Sequence, residues 1–194
     1  MLDLLKIAIT GGIASGKSSV CKLFEEQGAF VVSCDAIVHE LLSPGTEISE
    51  KVSTLLGIQE EVDFRKKIAE QVFKDSRMLV ELEKILHPAT LYKIKTLFKE
   101  ALTKENYTYF VVEIPLLFEI RNEDFYDIVI TVIADEPLAK ERFKKAGFSY
   151  EDYERRMKRQ MPQEEKAVRS DYVIKNNGSL KDLKKQVNQV LQEL

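Results

Sequence analysis

Short, almost uniformly apolar runs alternate along the chain with longer stretches whose apolar residues recur every three or four positions. Leu4-Leu5-Lys6-Ile7-Ala8-Ile9-Thr10, Phe30-Val31-Val32-Ser33-Cys34, Tyr107 to Glu113, Asp127 to Ala134 and Tyr172-Val173-Ile174 read as strands. A strand that is apolar on both alternating faces is covered on both, as in a parallel sheet flanked by helices. After the first run, Val20, Leu23 and Phe24 fall at helical spacing and Gly28 ends the helix. Asp135-Glu136-Pro137 starts a helix that ends at Gly147. Ser149 to Asp152 and Ser179 to Asp182 read as capping boxes, the second opening a terminal helix with Leu183, Val187, Val190 and Leu194 on one face. The pattern predicts a three-layer α/β fold with a mainly parallel sheet.

Between the second and third strands the pattern changes. Pro44-Gly45 is a turn, and Thr46 caps a short helix carrying Ile48, Val52, Leu55 and Leu56 and stopped by Gly57. Apolar residues then recur at helical spacing as Ile68, Val72, Phe73, as Leu79, Leu82, Leu86, and as Leu91, Ile94, Phe98, Leu102. Pro88 fits an early position in the last of these helices, which puts His87 at a corner. Residues 38–105 are therefore expected to form a helical excursion, partly a substrate subdomain. The sheet-bearing core is assigned to 1–37, 106–137 and 170–194, all within one domain.

Gly11-Gly12-Ile13-Ala14-Ser15-Gly16-Lys17-Ser18 is a complete G-x-x-x-x-G-K-[ST] phosphate loop, with a strand before it and a helix after it. Glycines let the backbone turn its N–H groups onto phosphate oxygens, where the helix dipole adds a favourable field. Lys17 is expected to reach the β- and γ-phosphates of ATP, and Ser18 to ligate Mg2+. Glu113, closing the third strand, either holds that metal through water or is a solvated strand end. Asp35 follows the second strand at the end where α/β sheets bind ligands, and is either a catalytic carboxylate or the N-cap of the next helix.

Composition narrows this reading. The 194 residues are 44% hydrophobic and 31% charged, ordinary for one globular domain. No apolar run approaches the ~20 residues of a membrane span and no leader pattern opens the chain, so a cytoplasmic protein is expected. Two cysteines, Cys21 and Cys34, suit a reducing compartment; both read as packing residues, with a reactive thiol as the alternative for Cys34. The net charge of −3 offers no general attraction to nucleic acid or to an anionic membrane. Yet residues 138–169 hold ten Lys and Arg against six Asp and Glu, an excess of +4. Most of these read as solvated helix faces, and together they can form a cationic lid over phosphates.

No glycine has an aspartate three positions before it and no N-K-x-D occurs, which argues against a guanine-nucleotide switch. A small-molecule kinase needs a base for the acceptor hydroxyl, a subdomain for the acceptor and a lid that excludes water. Asp35, the helical excursion and segment 138–169 supply those parts.

The chain resembles the dephospho-coenzyme A kinase family nearly end to end. The resemblance lies in Thr10 to Ser18, in Asp35-Ala36, in Arg65 with Val72-Phe73, and in Leu86-His87-Pro88. Further on it lies in Glu113-Ile114-Pro115-Leu116-Leu117-Phe118-Glu119, in Gln160-Met161-Pro162, and in Ser170 to Gly178. It implies a P-loop kinase fold with helical substrate subdomain and helical lid, and transfer from ATP to the ribose 3'-hydroxyl of dephospho-coenzyme A. Residues 11–18 with Ser19 and Asn177 then hold the nucleotide, and Asp35, Lys17, Arg142 and Arg156 are catalytic. Asp35, Arg65, His87, Pro115, Leu116 and Leu117 face the substrate, a small molecule met by a monomer without nucleic-acid or membrane partners. Ser33 stands where the family usually has a second acid, and Lys144 and Lys145 where it tends to have a second lid arginine. Another small-metabolite or nucleoside kinase, and a nucleotide-binding regulatory protein, are the alternative readings.

Overall fold

A computed structural model describes residues 4–59, 63–104 and 106–194; within these, the side chains of Phe73, Lys74 and Ser76 are not described. In chain order the elements are β1 (Leu5–Gly11), α1 (Lys17–Glu25), β2 (Phe30–Ser33), α2 (Cys34–Leu41), α3 (Glu47–Leu56), α4 (Phe64–Lys74) and α5 (Ser76–Thr103). They continue with β3 (Tyr109–Glu113), a 3-10 turn at Glu123–Phe125, β4 (Ile128–Ile133), α6 (Glu136–Lys145), α7 (Tyr150–Met157), α8 (Gln163–Val168), β5 (Tyr172–Lys175) and α9 (Leu180–Glu193). The chain divides into two compact units, one running to Ser33 and resuming over Ala101–Leu194, the other Cys34–Glu100.

In the first unit the strands form one sheet in the order β2-β3-β1-β4-β5, parallel throughout. The central strand is therefore the one that runs into the phosphate loop. Ile7 and Ile9 point to one face, where Val111, Ile130, Val132 and Ile174 join Val20, Leu23 and Phe24 of α1 and Leu183, Val187 and Val190 of α9. Truncating a wholly buried isoleucine of this layer costs about 2–5 kcal/mol. The alternate positions Ala8, Thr10 and Thr131 are equally buried. On that side α8 lies against β4 and β1, and the Ser170 hydroxyl that follows α8 sits 2.5 Å from Thr131 Oγ1.

Helices α6 and α7 form a smaller cluster, in which Ala139, Phe143 and Tyr153 close over Ile13 of the phosphate loop. Both predicted capping boxes are present: Ser149 caps α7 with Asp152, and Ser179 caps α9 with Asp182.

The second unit has its own core of Leu42, Val52, Leu56, Phe64, Ile68, Val72, Leu82 and Leu86. Thr46 caps α3, and Gly57 ends it in the left-handed conformation. One expectation is corrected here. The segments around Leu82 and Ile94 are not separate helices with a corner at His87; they belong to the single 28-residue α5, with Pro88 inside it. Proline removes one intrahelical hydrogen bond and disfavours helical backbone in the residue before it. Leu82, Leu86 and Ile94, buried on either side of Pro88, offset that cost. The expected end of the excursion at residue 105 and the expected apolar contact of Phe73 lie outside the described residues.

Candidate active site

The phosphate loop leaves β1 at Gly11 and returns as α1 at Lys17. Gly11 and Gly16 take φ of +141° and +97°, and neither could carry a side chain. A Cβ on Gly11 would lie 2.0 Å from the Val132 carbonyl oxygen, and one on Gly16 would lie 2.1 Å from Asn176 Nδ2. That amide holds the loop from outside, donating to the Ser15 carbonyl at 2.8 Å. Lys17 is buried, and its ammonium donates to the carbonyls of Gly12 at 2.7 Å and Gly11 at 3.3 Å. The Ser15 hydroxyl is buried without a hydrogen-bond partner among the described residues. Ser18 and Ser19 are exposed at the start of α1, and a helix N-terminus suits an anion.

Glu113 is half-buried at the end of β3, in register with Ile9 of β1 and Ser33 of β2. Its Oε1 accepts the Ser18 hydroxyl at 2.8 Å. This oxygen pair, one from the start of α1 and one from the end of β3, fits a hard divalent cation. No group of three or more His, Cys, Asp or Glu able to hold a metal occurs among the described residues, so such an ion would depend on phosphate and water for its remaining ligands.

Asp35 is the second residue of the second unit. The expectation that it caps a helix is corrected, since α2 already starts at Cys34 and Asp35 lies exposed inside its first turn. Along the chain it stands two residues after Ser33, the strand end paired with Glu113. Arg65 is exposed in the first turn of α4 and His87 is half-buried in the middle of α5, both in the second unit. Cys21 and Cys34 are buried, which fits the packing reading.

The remaining predicted residues belong to the first unit. Pro115 and Leu116 are half-buried and Leu117 fully buried in the loop after β3. Asn177 accepts the Asp135 N–H through Oδ1 at 2.9 Å, fixing the point where the chain leaves β4 for α6. Arg142 and Arg156, expected to act alike, differ in setting. Arg142 is half-buried, with Nη1 enclosed and without a hydrogen-bond partner among the described residues. Arg156 is exposed, with its guanidinium 4.9 Å from the ring centre of Phe148 and 5.5 Å from that of Phe143.

Sequence reasoning missed three residues of this region. Asn176 is the residue bonded to the phosphate loop, at the Ser15 carbonyl, whereas Asn177 holds Asp135. Gln163 grips the backbone of Ala134 with both ends of its amide, donating at 3.0 Å and accepting at 3.3 Å. Its Oε1 lies where a Cβ on Gly12 would come within 3.3 Å. Lys166, counted with the basic surface, is instead wholly buried. No periodicity signals these positions, because each lies in a loop or in the six-residue α8.

A central parallel strand feeding a lysine-bearing glycine loop, with an acid at the neighbouring strand end, defines a P-loop kinase. Likeness to the shikimate kinase of Acinetobacter baumannii, at TM-score 0.54 and 16% identity, reflects that fold alone. The dephospho-CoA kinase family model matches residues 5–182. The chain is 43% identical to the dephospho-CoA kinase of Protochlamydia amoebophila over 100% of its own length and 98% of the relative's. It is also 43% identical to that of Chlamydia muridarum, with the same shares covered. Among solved structures it is similar to TT1252 from Thermus thermophilus, at TM-score 0.81, 33% identity and 98% of both chains. It is similar too to the dephospho-CoA kinase from Campylobacter jejuni, at TM-score 0.69 and 31% identity, covering 97% of this chain and 96% of that one. The chain belongs to the dephospho-CoA kinase family.

Proposed function

We propose that the chain transfers the γ-phosphoryl group of ATP to the ribose 3'-hydroxyl of dephospho-coenzyme A, giving coenzyme A and ADP. The observation that carries this reading is the donor-side geometry of Lys17, Ser18 and Glu113, in a chain 43% identical to dephospho-CoA kinases along its whole length. Lys17 exchanges its loop carbonyls for phosphate oxygens and follows the charge that develops during transfer. The backbone of residues 11–16, with Ser19 and Asn177, holds the nucleotide. The enclosed Nη1 of Arg142 and the unpartnered hydroxyl of Ser15 supply donors of the kind an anion needs. Arg156 acts with Arg142 in a lid spanning about 138–169.

Ser18, and Glu113 through water, are the residues that would hold Mg2+, which when bound neutralises charge on the β- and γ-phosphates. Asp35 is the base for the acceptor hydroxyl. It is exposed and stands two residues past a strand that ends beside Glu113. Arg65, His87 and residues 115–117 receive the acceptor. The enzyme is taken to be a cytoplasmic monomer; no helix among the described residues is long and apolar enough to cross a membrane.

Purified protein with ATP and Mg2+ tests the reading when dephospho-coenzyme A is assayed against nucleosides and nucleoside monophosphates. Turnover is expected with dephospho-coenzyme A alone, and preference for a nucleoside would replace the substrate assignment. Asp35→Asn tests the base. The amide cannot take a proton, so kcat should fall by about 10²- to 10⁴-fold, while both KM values and the melting midpoint stay near the parent's. A folded variant with half the parental activity moves the base elsewhere.

A further inference from the structure

Helix α8 is six residues long, too short to persist by itself. At its centre stands a fully buried cation: Lys166 is 0% exposed. Its Nζ lies 2.9 Å from Glu119 Oε1 and donates to the Pro115 carbonyl at 2.7 Å. Both partners belong to the loop after β3. The same Glu119 oxygen accepts the Met161 N–H at 2.8 Å, and the same Pro115 carbonyl accepts the Thr10 hydroxyl at 3.3 Å. One buried ion pair thus ties together four segments: the last residue before the phosphate loop, the 115–119 loop, the segment that returns from α7, and α8.

Burial lowers the pKa of the Lys166 ammonium, and the hydrogen bond and charge of Glu119 hold it up in opposition. Apolar residues of the same volume often serve stability as well as a buried pair does or better, so stability alone gives a weak reason for this arrangement. The pair does what leucine and methionine cannot: it fixes the direction of the Pro115 carbonyl and of the Met161 N–H.

We propose that Lys166 is a positioning residue for phosphoryl transfer, its pair with Glu119 holding the 115–119 loop and the base of the β4–β5 excursion in register with the phosphate loop. The proposal rests on the reading above that these segments flank the transferred group. Lys166 itself touches no reacting atom; it acts through the Pro115 carbonyl and Glu119.

The test compares Lys166→Met, the double variant Lys166→Met with Glu119→Gln, and Thr10→Val. Lys166→Met strands a carboxylate beside an apolar side chain, and both its melting midpoint and its kcat should fall. In the double variant no charge is stranded, so the midpoint should return close to the parent's. Its kcat should remain lower by at least about tenfold, as a small misplacement of reacting groups would cause. ATP affinity measured by equilibrium titration should match the parent's. Recovery of parental kcat along with the midpoint would make the pair a stability feature only and overturn the proposal. Thr10→Val removes the second anchor of the Pro115 carbonyl without disturbing a charge, and decides the matter even where the Lys166 variants fail to fold. It should keep the parental midpoint and lose several-fold in kcat; parental kcat there also overturns the proposal. A wrong acceptor assignment is distinguishable, because the parent enzyme then fails with dephospho-coenzyme A just as the variants do.

Discussion

The phosphate loop and the excursion between β4 and β5 are both read as meeting phosphate, yet they are built on opposite terms. In the loop the backbone carries the geometry: Gly11 and Gly16 hold left-handed conformations, and the atoms that would meet a Cβ lie about 2 Å away. In the excursion the helices are short and several charges are paired at or near the surface. Lys140 meets Glu136 and Glu154, Lys145 meets Glu141, and Arg155 meets Asp152. Paired surface charges contribute little individually. The difference frames the proposal: the loop should select by space, and the proposed lid by a particular cation such as Arg142, whose enclosed Nη1 has no hydrogen-bond partner among the described residues.

The comparison breaks most sharply at Lys17. Lys17→Ala removes the cation expected to track the transferring charge, and kcat should fall by at least about 10²-fold with the protein still folded. Steady-state assay together with a melting curve measures this. Activity near the parent's would dissolve the assignment of the loop itself.

Two glycines sharpen the spatial side. Gly16→Ala forces a side chain into left-handed backbone and onto Asn176 Nδ2, displacing the bond to the Ser15 carbonyl. Its expected cost is about 2 kcal/mol or more, with nucleotide affinity reduced in titration. Gly12→Ala meets only the Gln163 side chain, at 3.3 Å, which can move aside. Its effect should be clearly smaller, and equal losses would mean that space is not what the loop selects.

In the excursion Arg142→Ala should lower kcat by about tenfold or more, because its enclosed Nη1 lacks a protein acceptor among the described residues. Arg156→Ala should lose less in kcat, with a small drop in melting midpoint from the lost stacking on Phe143 and Phe148. Lys158→Ala should stay close to the parent. Equal kcat losses across the three would show that bulk charge, not a particular contact, serves the site.

How much of this was legible in the sequence follows from the same contrast. The five strands and the phosphate loop announce themselves, because burial on both faces writes continuous apolar runs and left-handed turns write glycines. Glu113 and Asp35 were legible as acids at strand ends, though not the bond from Ser18. Helix α5 was misread as two helices because proline is a local signal, and the tertiary burial of Leu86 and Ile94 that overrides it is not. Lys166 was invisible for a related reason. A lysine reads as surface in any pattern, and its partner Glu119 lies 47 positions earlier. Glu119 falls inside a family-like motif, whereas Lys166 lies between two of them.

The smallest expected effect concerns the local order of α7. This eight-residue helix depends on its capping box, in which the Ser149 hydroxyl donates to the Asp152 carboxylate at 2.9 Å and accepts the Asp152 N–H at 3.1 Å. The hydrogen bonds from the Ser149 side chain and backbone hold the Asp152 pKa below the usual carboxylate value. A carboxyl group with a depressed folded-state pKa contributes stability that is fully present above its unfolded value, about 3.9, and is lost as pH falls through the folded one. Asp152→Asn keeps the shape and removes the charge. Hydrogen exchange at the α7 amides, expressed as protection factors, should therefore be a few-fold weaker in the variant than in the parent between pH 5 and pH 7. The gap should close only once pH falls below the lowered folded-state pKa, where the parent's carboxylate is itself protonated. Helix α9 has its own box, in which Asp182 is lowered in the same way by Ser179, and its amides should be unaffected by the change at Asp152. A gap that persists unchanged at low pH would mean that the cap works by shape alone, and α7 would then resemble the loop, where space decides.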